Sequence, residues 1–249
     1  MLRLIINADD LGMNSAVNQR IFALLERGSV TSVTLLMNAP AIEEAAQELR
    51  RFPRASFGIH LNVTEFVPLT NHPGLAVLRG PDGALANNVR EVHLNWATCE
   101  AVYREWCAQV ERALTMGIPV SHLDSHRHAH NIPALFLALK RLQVRFGIRR
   151  VRLTRNVYRV GERLAFGKHQ TKAVWNLALS RLYRTRTTDG FTDFSTFHAD
   201  LAAGVSFNGT YELMCHPGHP KFEEETRLLE TSWQPTLVPS AQLITYNEL

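Results

Sequence analysis

Strand-like and helix-like segments alternate along the chain, and this alternation is the feature that most constrains its fold. Strand-like runs, such as the β-branched residues 30–37 and the largely apolar residues 55–61, come between segments with helical spacing or composition. Chains of this kind form a mostly parallel sheet, open or closed into a barrel, with helices packed against it. A length of 249 residues suits a single α/β barrel. We therefore predict one α/β domain over residues 1–249.

Two less regular regions interrupt the series of predicted strands and helices. Strands are predicted over residues 2–8, 30–37, 55–61, 118–126, 149–153, 210–215 and 242–246. Helices are predicted over residues 16–28, 41–50, 96–116, 133–146, 171–183 and 222–230. The connection between residues 61 and 96 is long enough to form the rim or lid of a functional site. Residues 154–195 have the character of a basic insertion.

Polar residues stand at the C-terminal ends of several predicted strands. They are Asp9, Asp10, His60, Asp124, His126 and His216. Because α/β folds build their sites at the carboxyl ends of parallel strands, we expect these side chains to converge. Side chains alternate along a strand, so Asp9 and Asp10 are expected to point in different directions, one toward a metal and one toward a substrate. The simpler interpretation is that one of them caps the next helix.

Asp10, His60 and His126 form a candidate metal-binding set. One carboxylate and two imidazoles can hold a catalytic divalent ion and leave positions open for water and substrate. Such ligands suit Zn²⁺ and several other ions, whereas Mg²⁺ prefers oxygen, and the sequence does not decide between Mg²⁺ and Zn²⁺. The alternative is that both histidines are hydrogen-bonded structural residues.

Asp9 and His216 are the candidate catalytic pair. A carboxylate beside a cation stays ionised, so Asp9 can act as a general base. His216, on a separate strand, can protonate a leaving group. The alternative for His216 is a proline-glycine turn, residues 215–220, in which the histidine is incidental.

Four further residues are candidates for contacts with the ligands or the substrate: Asp124, His128, His130 and Asn62. Carboxylates often orient a metal-bound histidine, which is the role predicted for Asp124, although it could equally cap a helix. Residues 126, 128 and 130 would share one side of an extended backbone. A histidine-rich surface tract is the alternative for this cluster.

Basic residues are concentrated in one region, since Lys140 to Arg186 holds fourteen of the 27 and a single acid, Glu162. Within it, residues 173–183 combine apolar and cationic residues, the composition of a helix that can lie at a membrane surface. A homodimer interface and an ordinary core-facing helix are the alternatives. No nucleic-acid partner is expected, because no recognised motif accompanies the basic stretch.

Hydropathy and cysteine usage bear on the location of the protein. No apolar run reaches the length of a membrane span, and the N-terminus lacks the pattern of a signal peptide, so we expect a cytoplasmic protein, peripheral to a membrane if the basic region contacts lipid. The three cysteines show no C-x-x-C spacing, which argues against a disulfide framework or a thiolate zinc site.

The sequence resembles the YdjC-like carbohydrate deacetylases, a family that includes chitooligosaccharide deacetylases and the deacetylase of hopanoid biosynthesis. The resemblance rests on residues 7–12 (NADDLG), 30–32 (VTS), 58–62 (GIHLN), 122–130 (HLDSHRHAH) and 212–218 (ELMCHPG). It implies a distorted (β/α) barrel of mostly parallel strands with one divalent metal at the C-terminal strand ends. It also implies that Asp10, His60 and His126 hold the metal, that Asp9 is the base and that His216 assists the leaving group.

The sequence departs from the family pattern at two places. Leu11 stands where phenylalanine is usual, and Thr64-Glu65-Phe66 replaces a more usual Thr-x-Gly after the metal histidine. Neither change touches the implied ligands. The second change puts in doubt the substrate contacts made by that loop.

The reaction expected from these residues is hydrolysis of an N-acetyl group from an amino sugar, either a chitooligosaccharide or a glycosylated lipid such as a hopanoid. The enzyme would then be a hydrolase acting on a linear amide C–N bond. A metal-dependent phosphoesterase is one alternative, although such enzymes often use two metals and more carboxylates. A non-catalytic sugar-binding protein is the other, and it would not need both an acid and a base.

Overall fold

A curled parallel sheet lies at the centre of the computed structural model, which describes residues 1–162 and 166–249. Its strands are β1 (Leu2–Leu11), β2 (Ser32–Leu35), β3 (Ser56–Leu61), β4 (Val120–Ser125), β5 (Gly190–Asp193), β6 (Gly209–Cys215) and β7 (Gln242–Leu243). The strand order is β4-β3-β2-β1-β6-β5, with β7 also paired to β1, and every pairing is parallel. The predicted α/β fold with mostly parallel strands is confirmed.

Helices cover the outside of this sheet. They are α1 (Ser15–Arg27), α2 (Ile42–Glu48), α3 (Trp96–Thr115), α4 (Phe136–Phe146), α5 (Phe166–Arg181), α6 (Phe194–Ala202), α7 (Glu223–Leu229) and α8 (Trp233–Leu237). The first shows why the sequence folds as it does: Asn14 accepts a hydrogen bond from Val17 N at its start, and Gly28, with φ of 72°, ends it in the left-handed conformation. Its buried face includes Ile21 and Leu24, which pack into the core.

The edge strands β4 and β5 are linked across the remaining gap of the barrel by residues 149–153. Val151 bridges Leu123 of β4, and Arg150 bridges Arg186, which lies just before β5. The predicted strand over residues 149–153 is therefore reduced to single bridges. The predicted strand over residues 242–246 is also shorter than expected, because a 3-10 helix begins at Tyr246. The result is a distorted barrel with one weakly paired wall.

A β-bulge at the end of β1 changes the direction of its last side chains. The register with β2 shifts between Ala8 and Leu11, and Asp10 adopts a φ of 69°. Regular alternation predicted that Asp9 and Asp10 would point in different directions, and this prediction is wrong. An extra residue in one strand bends the backbone and re-aims the side chains, so both carboxylates reach the same mouth of the barrel.

The interior of the barrel beneath this mouth is polar rather than filled with aliphatic side chains. The ring of His122 stacks on Tyr246 at 3.6 Å between centroids, and its Nε2 lies 3.1 Å from Asn7 Oδ1. Gly58 leaves room for this imidazole, since a Cβ at that position would come within 2.6 Å of the ring. Tyr246, near the C-terminus, therefore lies at the end of this polar interior away from the mouth, which we call the barrel floor.

Much of the basic region is neutralised or buried by contacts within the chain. Arg141 and Arg145 pair with Glu100 and Glu111, and Lys140 donates to the carbonyl oxygens of Leu179 and Leu182. Helix α5 starts earlier and ends earlier than the predicted helix over residues 171–183. Its Trp175 packs on Phe136, whereas Val174 and Leu177 are exposed. No helix among the described residues has the length and apolar composition needed to cross a bilayer.

Candidate active site

A cavity of about 360 Å³ opens at the carboxyl ends of the strands. Residues from several separate parts of the chain line it: Asp9, Asp10, Met13, His60, Glu65, Ser125, His126, Arg127, His128, Met214, His216, His219, Lys221 and Phe222. The strand-end residues Asp9, Asp10, His60, His126 and His216 are thus brought together at one place. The expected location of a site at the C-terminal strand ends agrees with this geometry.

Asp9 is held by a buried arginine. Arg152 Nη1 donates to Asp9 Oδ2 at 2.7 Å and Nη2 donates to Oδ1 at 2.6 Å, a two-point contact that fixes the carboxylate plane. Asn7 Nδ2 also donates to Oδ1 at 2.9 Å. Although burial raises the pKa of Asp9, the Arg152 guanidinium outweighs it and holds the pKa well below its usual range. Asp9 is therefore an oriented carboxylate that is ionised before the reaction begins.

Asp10 lies between the two candidate metal-binding imidazoles. Its Oδ1 is 3.3 Å from His60 Nε2 and 2.9 Å from His126 Nδ1. The three side chains can each direct one ligand atom to a common point, since those atoms all lie within 4.8 Å of one another. One carboxylate oxygen and two imidazole nitrogens are a ligand set that holds a catalytic divalent ion and leaves positions open.

Asp124 fixes the orientation of His60 from the interior side. Asp124 Oδ1 is 2.7 Å from His60 Nδ1, while its Oδ2 accepts from Thr34 Oγ1 at 3.0 Å and lies 2.8 Å from Arg152 Nη1. With Nδ1 engaged by a carboxylate, Nε2 of His60 is the nitrogen that faces Asp10. This arrangement is the one by which carboxylates orient metal-binding histidines.

The charges around the cavity fit a bound cation. Asp9, Asp10 and Asp124 are buried carboxylates, and the buried guanidinium of Arg152 contacts only Asp9 and Asp124 among these three. Burial lowers the pKa of His126, but hydrogen bonds with Asp10 and Glu65 outweigh it and raise the pKa to about 9. The residues thus attract positive charge at the point where their ligand atoms converge, as a divalent ion requires.

A second group of potential ligands, Asp9, His60 and Asp124, is less suited to hold an ion of its own. It shares His60 with the first group, and Arg152 contacts both of its carboxylates. Among the described residues, the donor atoms therefore favour one metal over two. A two-metal phosphoesterase site has little support from this arrangement.

His216 follows β6 and lines the same cavity as the metal-binding set. Its Nε2 is 4.0 Å from Asp9 Oδ2, and its ring stacks on Phe222 with centroids 4.5 Å apart. The backbone N–H of His216 donates to Glu225 Oε1 at 2.7 Å, which anchors the segment after β6. Burial lowers the pKa of His216, against the opposing effect of Asp9, so the free ring is neutral at neutral pH.

The remaining predicted contact residues fall at different depths. His128 lines the cavity, and burial with the nearby Arg152 lowers its pKa to about 3, so it is uncharged. His130 lies below the cavity, with Nδ1 on Ser125 Oγ and Nε2 3.3 Å from Arg152 O. Asn62 does not line the cavity, and its side chain instead hydrogen-bonds the loop that follows β3. His130 and Asn62 thus shape the site from outside it.

Four site-forming residues were not identified from the sequence: Arg152, Glu212, Tyr246 and Glu65. Glu212 accepts from Arg152 Nε at 2.7 Å and from the hydroxyl of Tyr246, so a continuous chain of hydrogen bonds joins the barrel floor to Asp9. A signal for one of them was present, because Glu212 is a charged residue inside the otherwise uncharged strand pattern of residues 210–215. Charged residues at such positions are buried only with partners.

Known proteins with similar sequences decide the family. A model of the family described as YdjC-like protein matches residues 3–241. The chain belongs to the YdjC-like family. A carbohydrate deacetylase of Geobacillus stearothermophilus is 31% identical over 98% of this chain and 96% of that protein. A carbohydrate deacetylase of Halalkalibacterium halodurans is 30% identical over 88% of this YdjC-like chain and 86% of that protein.

Two further comparisons concern a shorter match and the fold. A carbohydrate deacetylase of Vibrio campbellii is 37% identical over 151 residues, and this match spans 59% of the YdjC-like chain and 57% of that protein. A crystal structure of a candidate cellobiose-phosphate cleavage protein from Enterococcus faecalis superposes with a TM-score of 0.79 at 23% identity, covering 99% of this chain and 98% of that one. The second similarity supports the fold of the YdjC-like chain.

Proposed function

We propose that this YdjC-like protein is a metal-dependent carbohydrate deacetylase that hydrolyses the N-acetyl group of an amino sugar. The observation that carries the proposal is the convergence of Asp10, His60 and His126 on one point while Asp9 and His216 face the same cavity. Relatives named carbohydrate deacetylase, two of them similar over most of the chain, support the same reaction. The substrate class is an acetylated oligosaccharide or glycolipid.

The residues of the chain divide the work of the reaction. A divalent ion held by Asp10, His60 and His126 would supply the Lewis acidity that an amide carbonyl needs. Asp9 lines the cavity, and its Oδ2, 3.9 Å from His60 Nε2, is placed to take a proton from the attacking water. Because Arg152 fixes the carboxylate plane, this oxygen keeps its direction through the reaction.

The departing amine needs a proton, since an amide nitrogen leaves poorly without one. His216 Nε2 lies 4.0 Å from Asp9 Oδ2. Its neutral resting ring can accept the proton that Asp9 has taken from water and pass it to the nitrogen as the C–N bond breaks. The products are acetate and a free amino sugar, and no other reactant is required.

A mass-spectrometric screen of acetylated sugars and glycolipids tests the function, with loss of one acetyl group as the readout. Asp9→Asn should lower kcat about 10²–10⁴-fold, the usual contribution of a positioned base. Elemental analysis should show the same metal content in this variant, because Asp9 is not in the proposed ligand set. Asp82→Asn, on an exposed turn, is the matched control and should keep full activity.

Two results would contradict the proposal in different ways. Release of phosphate from generic phosphoesters, without acetate release from any acetylated sugar, would favour the phosphoesterase. Full activity of Asp9→Asn would remove Asp9 as the base while leaving the deacetylase function in place.

A further inference from the structure

The two imidazoles of the candidate metal site have matching surroundings. Each has one nitrogen directed at Asp10 Oδ1 and the other engaged by a second carboxylate. For His60 that carboxylate is Asp124, at 2.7 Å from Nδ1. For His126 it is Glu65, whose Oε2 lies 3.0 Å from Nε2. Glu65 thus occupies, on the side of the cavity nearer to solvent, the place that Asp124 occupies in the interior.

The loop after β3 holds Glu65 at this place through its backbone. Asn62 Oδ1 accepts from the backbone N–H groups of Thr64 and Glu65 at 2.9 and 3.2 Å. The amides of Asn62 and Asn38 donate to Glu65 O at 2.8 and 3.0 Å. Side-chain amides that bond to the backbone two or three residues away are a strong way to fix a turn. The position of the carboxylate therefore does not depend on its contact with His126 alone.

Phe66, the residue after Glu65, adopts a backbone conformation that is unusual for its type. Phe66 has a φ of 64°, a left-handed conformation that glycine adopts without steric cost. The resemblance noted above places a glycine here, in Thr-x-Gly. Thr64-Glu65-Phe66 thus forms a left-handed turn without the glycine, and Glu65 stands at the position that Thr-x-Gly leaves open.

We propose that Glu65 is a positioning residue for the metal site, which fixes the ring of His126 so that Nδ1 faces the ion. The proposal rests on the metal-dependent function proposed above. A carboxylate that accepts the Nε2–H of His126 selects the tautomer whose Nδ1 lone pair is available to a metal. Loss of such partners commonly weakens metal affinity about 10–100-fold.

Calorimetric titration of the metal-stripped protein with Zn²⁺ tests this role. Glu65→Ala should raise the Kd for Zn²⁺ about 10–100-fold. Glu65→Gln keeps an oxygen that can accept from Nε2–H, so it should recover part of that loss. Glu43→Ala is the matched control, because this glutamate is exposed and pairs with Arg112 on the surface. Thermal unfolding of the metal-free variants reports separately on folding.

Absorption spectra of the Co²⁺-loaded proteins separate positioning from direct ligation. If Glu65 only orients His126, the visible bands of loaded Glu65→Ala should match those of the wild type, since the ligands are unchanged. Altered bands would make Glu65 a ligand and overturn the proposal. A Kd for Glu65→Ala within about twofold of the wild type would also overturn it. If the wild type itself binds no divalent ion, the proposed metal-dependent function fails instead.

Discussion

On both the interior and the outer side of the candidate active site, a carboxylate contacts a histidine, but the two contacts are built differently. On the interior side, His60 of β3, Asp124 of β4 and the neighbouring Arg152 are 0–2% exposed. On the outer side, loop residues place Glu65 beside His126, and the glutamate side chain is 39% exposed. Interior charges are costly to leave unpaired, whereas outer ones are screened by water. The interior should therefore govern folding, and the outer side should govern ligand binding.

The ion pairs of the interior side can be broken by removing the positive charge of Arg152. Arg152→Met leaves Asp9, Asp124 and Glu212 without their shared partner, so the free energy of unfolding should fall by about 3–5 kcal/mol. Urea denaturation measures this change. The control is Arg141→Met, whose surface pair with Glu100 should contribute no more than about 1 kcal/mol. Equal losses in the two variants would contradict the proposed difference between the two sides.

A smaller change tests how far the interior network extends below the site. Tyr246→Phe keeps the ring against His122 but removes the hydroxyl that donates to Glu212. Leaving a buried acceptor without this donor should reduce the free energy of unfolding by about 1–3 kcal/mol. Metal affinity should not change, because Tyr246 does not line the cavity. Unaltered stability in a denaturant titration would show that the barrel floor is independent of the site above it.

The smallest effect is expected at the edge of the outer side. Arg127 Nη2 lies 3.8 Å from Glu65 Oε2, and the arginine side chain is half exposed. Arg127→Ala should change the free energy of unfolding by less than about 1 kcal/mol, as for other exposed ion pairs. For the same reason the Kd for Zn²⁺ should change less than about fivefold. A larger loss in calorimetry would mean that Glu65 depends on Arg127 for its position.

The sequence allowed prediction of the residues at the strand ends better than of the residues that hold them in place. Asp10, His60 and His126 could be proposed because they end predicted strands, and parallel strands end at one edge. Arg152 could not be placed in the same way, because it lies in a basic region and its partners are distant in sequence. The partners of Glu212 and Tyr246 could not be predicted for the same reason. Long-range ion pairs leave no periodic signal.

Local irregularities were the other limit of prediction. Alternation of side chains along β1 is a property of regular strands, and the bulge at Asp10 removes it. A strand was predicted over residues 149–153, yet this segment pairs with its neighbours at single positions only. Composition reports which residues favour an extended backbone, but pairing depends on neighbours that composition does not specify.

Because of the bulge in β1, the number of residues in this short segment matters for the site as much as their type. A one-residue deletion between Ala8 and Leu11 would remove Asp9 or Asp10 itself, and the return to a regular pleat would change the direction of the carboxylate that remains. Substitutions near Asp9 and Asp10 leave that geometry in place, whereas a deletion does not. Insertions and deletions in this short segment are therefore expected to be tolerated less well than changes of residue type.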